Sequence, residues 1–277
     1  MRYRISLLTV ALSMAAVSVF AQPTQPRQID AVGLYDLPAA DVVILGEVHD
    51  NPAHHAQQAI AVGAMGARAL VFEMLTEAQA LRVRPEVLTS SGALEQALGW
   101  AGTGWPDFAM YYPIFTASKS AAIFGGAIER EVVRQAVSDG AAAVFGGAAG
   151  LFGLDRALDD HVQVAREAGQ MAAHCGALPI SILPGMVEAQ RLRDAGLARA
   201  VIAAMAETGG PVAVITGNGH ARGDWGMPDA LRFAAPELSV LTLGQFETVP
   251  EDPVPYDLWL VTDPAPRDDP CAGFAVK

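Results

Sequence analysis

Short apolar runs recur along the chain, separated by stretches with helical spacing. Asp41-Val-Val-Ile-Leu45 is β-branched at its centre and stopped by Gly46, the pattern of a buried strand. Pro52 to Gly66 turns to Ala, Gln and His at helical intervals, and Ala69-Leu-Val-Phe-Glu-Met-Leu75 reads as a second strand. Residues 77–120 read as helical with a loop from Gly99 to Gly104, 122–125 as a strand and 127–138 as a helix. The Ala-rich stretch 155–207 is mostly helical, with breaks near Pro179 and Pro184. Val212-Ala-Val-Ile-Thr216 is a buried strand, Asp229–Phe233 a short helix and Leu238–Leu243 a last strand. Strands alternating with helices predict an α/β fold: a largely parallel central sheet with flanking helices, and a helical insertion between two β-α-β ends. The pattern divides the chain into a start at 1–21, a leader at 22–39, an α/β domain at 40–249 and a Pro-rich tail at 250–277 that wraps over the surface.

The start does not belong to the fold. Arg2 and Arg4, an apolar run from Ile5 to Phe20 and small residues in Val19-Phe20-Ala21 make a cleavable secretory signal. The apolar run is shorter than the roughly 20 residues of a membrane span, and no Cys sits at the cleavage point to take a lipid. The destination is then the periplasm or the exterior. There Cys175 and Cys271 either pair or leave Cys175 as a buried free thiol.

Composition narrows the function classes. With 52% hydrophobic and 17% charged residues the chain is no disordered protein, and a net charge of −12 repels nucleic acid. There is no Gly-x-Ser-x-Gly elbow and no phosphate loop.

Two groups of residues carry candidate chemistry. Gly46-Glu-Val-His49 and Gly217-Asn-Gly-His220 repeat one turn after two equivalent strands, and Glu73 closes a third. Ligands of open α/β sheets bind beyond the carboxyl ends of strands, so Glu47, His49, Glu73 and His220 are expected in one cleft, with His54, His55, Arg222 and Asp224 in nearby loops. Two His and two Glu suit a divalent metal or acid/base work; alone, each His would merely cap a turn. The second group is Trp100, Trp105, Phe108, Tyr111, Tyr112 and Phe115, where Trp105, Phe108, Tyr112 and Phe115 follow helical spacing. Such a stripe is either core packing or a flat apolar pocket whose tyrosine ligates a porphyrin iron.

Together, Leu45–His55 with Gln57-Gln58, the Phe72-Glu-Met74 strand end, Tyr112-Pro113, Ala173–Pro179, Met186–Ala195 and Thr216–Arg222 resemble the ChaN family of iron-regulated haem-binding proteins, within the Tiki/TraB and erythromycin esterase-like superfamily. The resemblance implies a haem-binding protein of bacterial haem and iron uptake, in the periplasm or at the outer membrane, where a haem receptor would be its partner. It also implies a homodimer that forms on haem binding, with two stacked haems between the subunits. It places the haem on a tyrosine, Tyr112 or Tyr111, with a histidine nearby among His54, His55 and His220. Relatives are often lipoproteins, which this chain does not match. Phe124-Gly-Gly-Ala-Ile-Glu-Arg130 is also looser than the Asn-x-Pro-Arg pattern of the family. Because superfamily relatives include enzymes, the alternative is a metal-dependent hydrolase in which Glu47 or Glu73 acts as base on a metal-bound water.

Overall fold

The computed structural model describes residues 25–269 and 271–272, so the expected signal segment lies outside the described residues. Seven strands form one sheet: β1 (Arg27–Gln28), β2 (Val42–Glu47), β3 (Ala69–Phe72), β4 (Ala122–Gly125), β5 (Val212–Gly217), β6 (Val240–Phe246) and β7 (Leu258–Val261). Their order is β1-β7-β6-β2-β5-β3-β4, and every pairing is parallel. The helices are α1 (Pro52–Met65), α2 (Glu77–Ala80), α3 (Ser91–Leu98), α4 (Phe108–Ala117), α5 (Arg130–Asp139), α6 (Ala141–Phe145), α7 (Asp160–Ala173), α8 (Leu183–Thr208), α9 (Asn218–Ala221) and α10 (Met227–Ala234).

Alternation along the strands builds two cores. Val43, Leu45, Leu70, Phe72, Ala213 and Ile215 pack under α1, α3 and α4. Their neighbours Val42, Ile44, Val71, Val212 and Val214 face α5, α6, α8 and α10. Both faces are covered, which is why the central strands are apolar without interruption. This is the expected α/β architecture with a largely parallel sheet.

The differences from the sequence reading have local causes. Gly46 does not stop β2: it lies within the strand, where a side chain would collide with Asn218 and the Leu243 carbonyl. Pro184 does not break a helix but opens α8, where a missing N–H costs nothing. The tail does more than wrap the surface, because Leu258–Val261 extends the sheet and the leader residues Arg27–Gln28 pair with it. Of the two fates open to the cysteines, the structure has the pairing: Cys175, in the turn after α7, is disulfide-bonded to Cys271 in the tail.

Candidate functional site

Register sets the site. Glu47 of β2 lies opposite Gly217 of β5, and Phe72 of β3 lies opposite Ile215, so three adjacent strands end at one edge. Each then releases a polar residue: Glu47 itself, Glu73 just past β3, and His220 within α9. All three are buried.

Two linked networks result. In the first, Glu47 Oε1 accepts the Tyr111 hydroxyl at 2.9 Å and faces His49 Nδ1 at 2.7 Å. A carboxylate there makes Nδ1 the protonated nitrogen of His49 and fixes the ring. The other oxygen, Oε2, has His55 Nδ1 at 3.4 Å, and neither atom has a closer partner among the described residues. His55 Nε2 donates to the His49 carbonyl at 2.8 Å, so the turn is tied back to its own helix.

In the second, Glu73 Oε2 accepts from the Thr216 hydroxyl at 2.7 Å and the Gly217 N–H at 2.8 Å, while Arg193 donates to Oε1. His220 Nε2 stands 3.5 Å from the same Oε1, and its Nδ1 is 2.6 Å from Asp194. Gln190, one turn earlier on α8, also contacts the His220 ring. The networks meet where His49 Nε2 lies 4.0 Å from Glu73 Oε1. Gly217 allows this approach, since a Cβ there would sit 2.8 Å from His49 Nε2.

The electrostatics follow from these contacts. Burial works against ionisation of Glu73, but His220, Arg193, His49 and the Thr216 hydroxyl outweigh it and hold the carboxyl well below its usual range. Burial likewise opposes protonation of His49, yet the Glu47 hydrogen bond and the charges of Glu73 and Glu47 raise its pKa. Burial carries Asp194 above the ordinary carboxylate range in spite of His220 and Arg166. At Tyr111, burial and then Glu47 push the phenol far upward.

The structure therefore brings Glu47, His49, Glu73 and His220 together, and it moves other expected residues elsewhere. Tyr111, one of the two expected haem-ligand candidates, is fully buried behind Glu47 and donates its hydroxyl to that carboxylate. Tyr112 gives its hydroxyl to the Leu88 carbonyl at 3.1 Å and does not line the cleft. His54 is buried and structural: Nδ1 accepts from the Val48 N–H at 2.9 Å, and Nε2 lies 2.9 Å from Thr262 Oγ1. Arg222 and Asp224 pair with each other at 2.7 Å. The expected divalent-metal set finds no support either. Among the described residues no group of three or more His, Cys, Asp or Glu side chains is arranged to hold a metal ion. The reason is that Glu73 is taken up by Arg193, Thr216 and Gly217, and His220 by Asp194. That arrangement does not carry the hydrolase alternative.

Sequence reasoning did not single out Gln190, Arg193 and Asp194, which reach the site from α8. Beside the networks opens a cleft of about 1010 Å³. Glu73, Arg193 and Trp105 line its inner end, and Trp105 packs edge-on to His49 with ring centres 4.9 Å apart. Met74, Leu98, Ile128 and Leu197 make apolar walls, and Arg82, Arg130 and Arg134 stand at the lining. Arg134 pairs with Glu131; Arg82 and Arg130 donate only to the carbonyls of Ala97 and Thr103 among the described residues.

Comparison with known proteins gives the family. The profile of the family described as haem-binding uptake, Tiki superfamily, ChaN matches residues 34–231. A structure described as cofacial haem binding to ChaN of Campylobacter jejuni has a TM-score of 0.61 at 16% identity, covering 82% of this chain and 89% of that one. That likeness is one of fold. The type III effector HopBA1 is more distant, with a TM-score of 0.44 at 14% identity over 84% and 92% of the two chains. No curated protein matches the sequence significantly. With the profile spanning more than half of the chain, from before β2 into α10, the protein belongs to the ChaN family of haem-binding uptake proteins in the Tiki superfamily.

Proposed function

We propose that the cleft at the carboxyl edge of β3 and β4 binds haem, with the iron ligand supplied by His49, which does not itself line the cleft but stands behind two residues that do, Trp105 and Glu73. The observation that carries this is the state of His49. Its side chain is 34% exposed beside the buried Glu47, which engages Nδ1, so Nε2 is the nitrogen an iron would take, in place of the proton that the neighbouring carboxylates favour there. A carboxylate behind the imidazole fixes the tautomer and raises the ligand's basicity, as in other metal-binding histidines.

The cleft also fits the rest of the molecule. Its apolar walls and Trp105 suit a flat macrocycle, and Arg82 and Arg130, with no carboxylate partner among the described residues, suit two propionates. Bound haem would supply an iron centre, and the protein's part is to orient one nitrogen and exclude water. Tyr111 acts through Glu47 in this reading, by holding the carboxylate that holds His49. The ferric-haem Soret band tests it. Wild type is expected to saturate at one haem per chain, and His49→Ala to lose the wild-type spectrum. A variant that keeps the same band and affinity would remove His49 as the ligand.

The uptake setting, delivery to the periplasm and a two-fold pair around stacked haems are the finer part of the proposal. Family membership supports the first, the cationic and apolar run Arg2–Ala21 of the sequence supports the second, and the cofacial arrangement described for the Campylobacter jejuni protein supports the third. Burying the outer face of a haem in a one-sided cleft calls for a second copy, and ligand binding would then drive association. Light scattering during the titration should show the mass doubling; a monomer at saturating haem rejects the pair.

A further inference from the structure

A second cavity, of about 340 Å³, lies across α8 from the haem cleft. Consecutive residues of the helix separate the two: Arg193 lines the first cavity and Asp194 the second. Phe152, Leu154, Trp225 and Phe233 give the second cavity an apolar and largely aromatic wall. Phe233 is 41% exposed, with the Arg156 guanidinium over its ring 4.9 Å from the centre.

The hydrogen-bonding capacity of the other wall decides the ligand. Arg166 on α7 lines the cavity with its side chain only 5% exposed, and its single hydrogen bond among the described residues is a long one of 3.4 Å to Asp194. The side chain lines the cavity, and no other hydrogen bond among the described residues engages the remaining N–H groups of its guanidinium. Most of the neighbouring charges are committed elsewhere; the exceptions on the lining are the exposed Arg156, whose guanidinium lies over the Phe233 ring, and the exposed Asp159. Arg191 donates to Glu188 and to the carbonyls of Gly153, Leu154 and Arg156. Asp224 is held by Arg222, Asp229 by Arg232, and Asp194 by His220. What remains is a buried fork of donors beside aromatic surface, in a space at the small end of ligand sites. Such a fork matches a carboxylate in geometry as well as charge.

We infer that this cavity is a second ligand site, for a small carboxylic acid with a flat apolar body whose carboxylate meets Arg166 and whose body lies between Phe152 and Phe233. Desolvation weakens the hold of Arg166 on its proton, and an anion in the cavity would reverse that loss.

Benzoate is the probe, titrated into haem-free protein by calorimetry with saturation-transfer NMR. Wild type is expected to bind one benzoate per chain. Benzamide, which keeps the shape and lacks the charge, should bind at least roughly tenfold more weakly, and so should inorganic phosphate, which keeps charge and lacks the ring. Arg166→Gln should lose a similar factor. Because that change also touches Asp194, the half-buried Leu158 on the cavity lining offers an independent variant. Leu158→Trp should block the opening and abolish binding with the unfolding midpoint unchanged, while His49→Ala should bind benzoate as wild type does. No saturable benzoate binding to wild type, benzamide binding as tightly as benzoate, or undiminished binding in Leu158→Trp would each overturn the inference.

Discussion

His54 makes folding sensitive to acid in a way that can be calculated. Its ring is buried, with Nδ1 accepting the Val48 N–H and Nε2 at Thr262 Oγ1, so a second ring proton would set two donors against each other. Burial, only partly offset by Glu247, lowers its pKa from 6.5 to about 4. The unfolded chain therefore takes up this proton near pH 6.5, while the folded one resists it down to about 4. Stability from this group is complete above pH 6.5 and is lost as the pH falls through that window. The lowered pKa corresponds to roughly 3 kcal/mol in all, of which about 2 kcal/mol is lost between pH 7 and pH 5. Urea unfolding of wild type and His54→Asn at both values isolates it, because Asn can still accept from Val48 and does not titrate. Wild type should lose about 2 kcal/mol more than the variant on acidification. Equal losses would show that His54 does not stay neutral in the fold.

Other residues give further expectations. Glu73→Gln keeps the size but leaves Arg193 without its buried partner, and should cost about 3 kcal/mol in chemical denaturation; a loss below about 1 kcal/mol would mean that the pair is solvated. Gly217→Ala should shift the haem spectrum with little effect on circular dichroism, since its Cβ would stand 2.8 Å from His49 Nε2; an unchanged spectrum would place the haem elsewhere. Opening the Cys175–Cys271 bond, which spans 96 residues, with a Cys175→Ser/Cys271→Ser double variant should cost about 4 to 5 kcal/mol on a chain-entropy view. An unaltered urea midpoint would show that the bond constrains little.

The glutamates and histidines of the site were legible because each follows a buried strand, where a polar residue interrupts an apolar run at a fixed edge. The α8 contribution was not. Arg193 and Asp194 sit in an Ala-rich helix among other charges, and nothing local distinguishes a charge that meets Glu73 120 residues away from one that meets water. The run Met186–Ala195 was noticed only through family resemblance. The tyrosines show a different failure, one of phase. Extending helical spacing back to Trp105 predicts Tyr112 on the stripe, but Asp107 caps the helix by accepting from the Ala109 N–H, so Trp105 stands outside it. The buried face is then Phe108, Tyr111 and Phe115. In β7 the flanking prolines hid the apolar Leu-Trp-Leu-Val segment.

The strand order also dictates a sequence of events during synthesis. β2 emerges early and occupies the middle of the sheet, yet both of its neighbours, β5 and β6, come from the far part of the chain, with Val42 opposite Val212 on one side and Val240 on the other. Until those residues arrive, the β3–β4 pair can form alone, and the strand bearing Glu47 has nothing to pair with. Long-range parallel pairing of this kind is slow as well as late. A nascent chain built this way stays threadable for most of its length, so any passage that requires an extended polypeptide can be completed before the site exists.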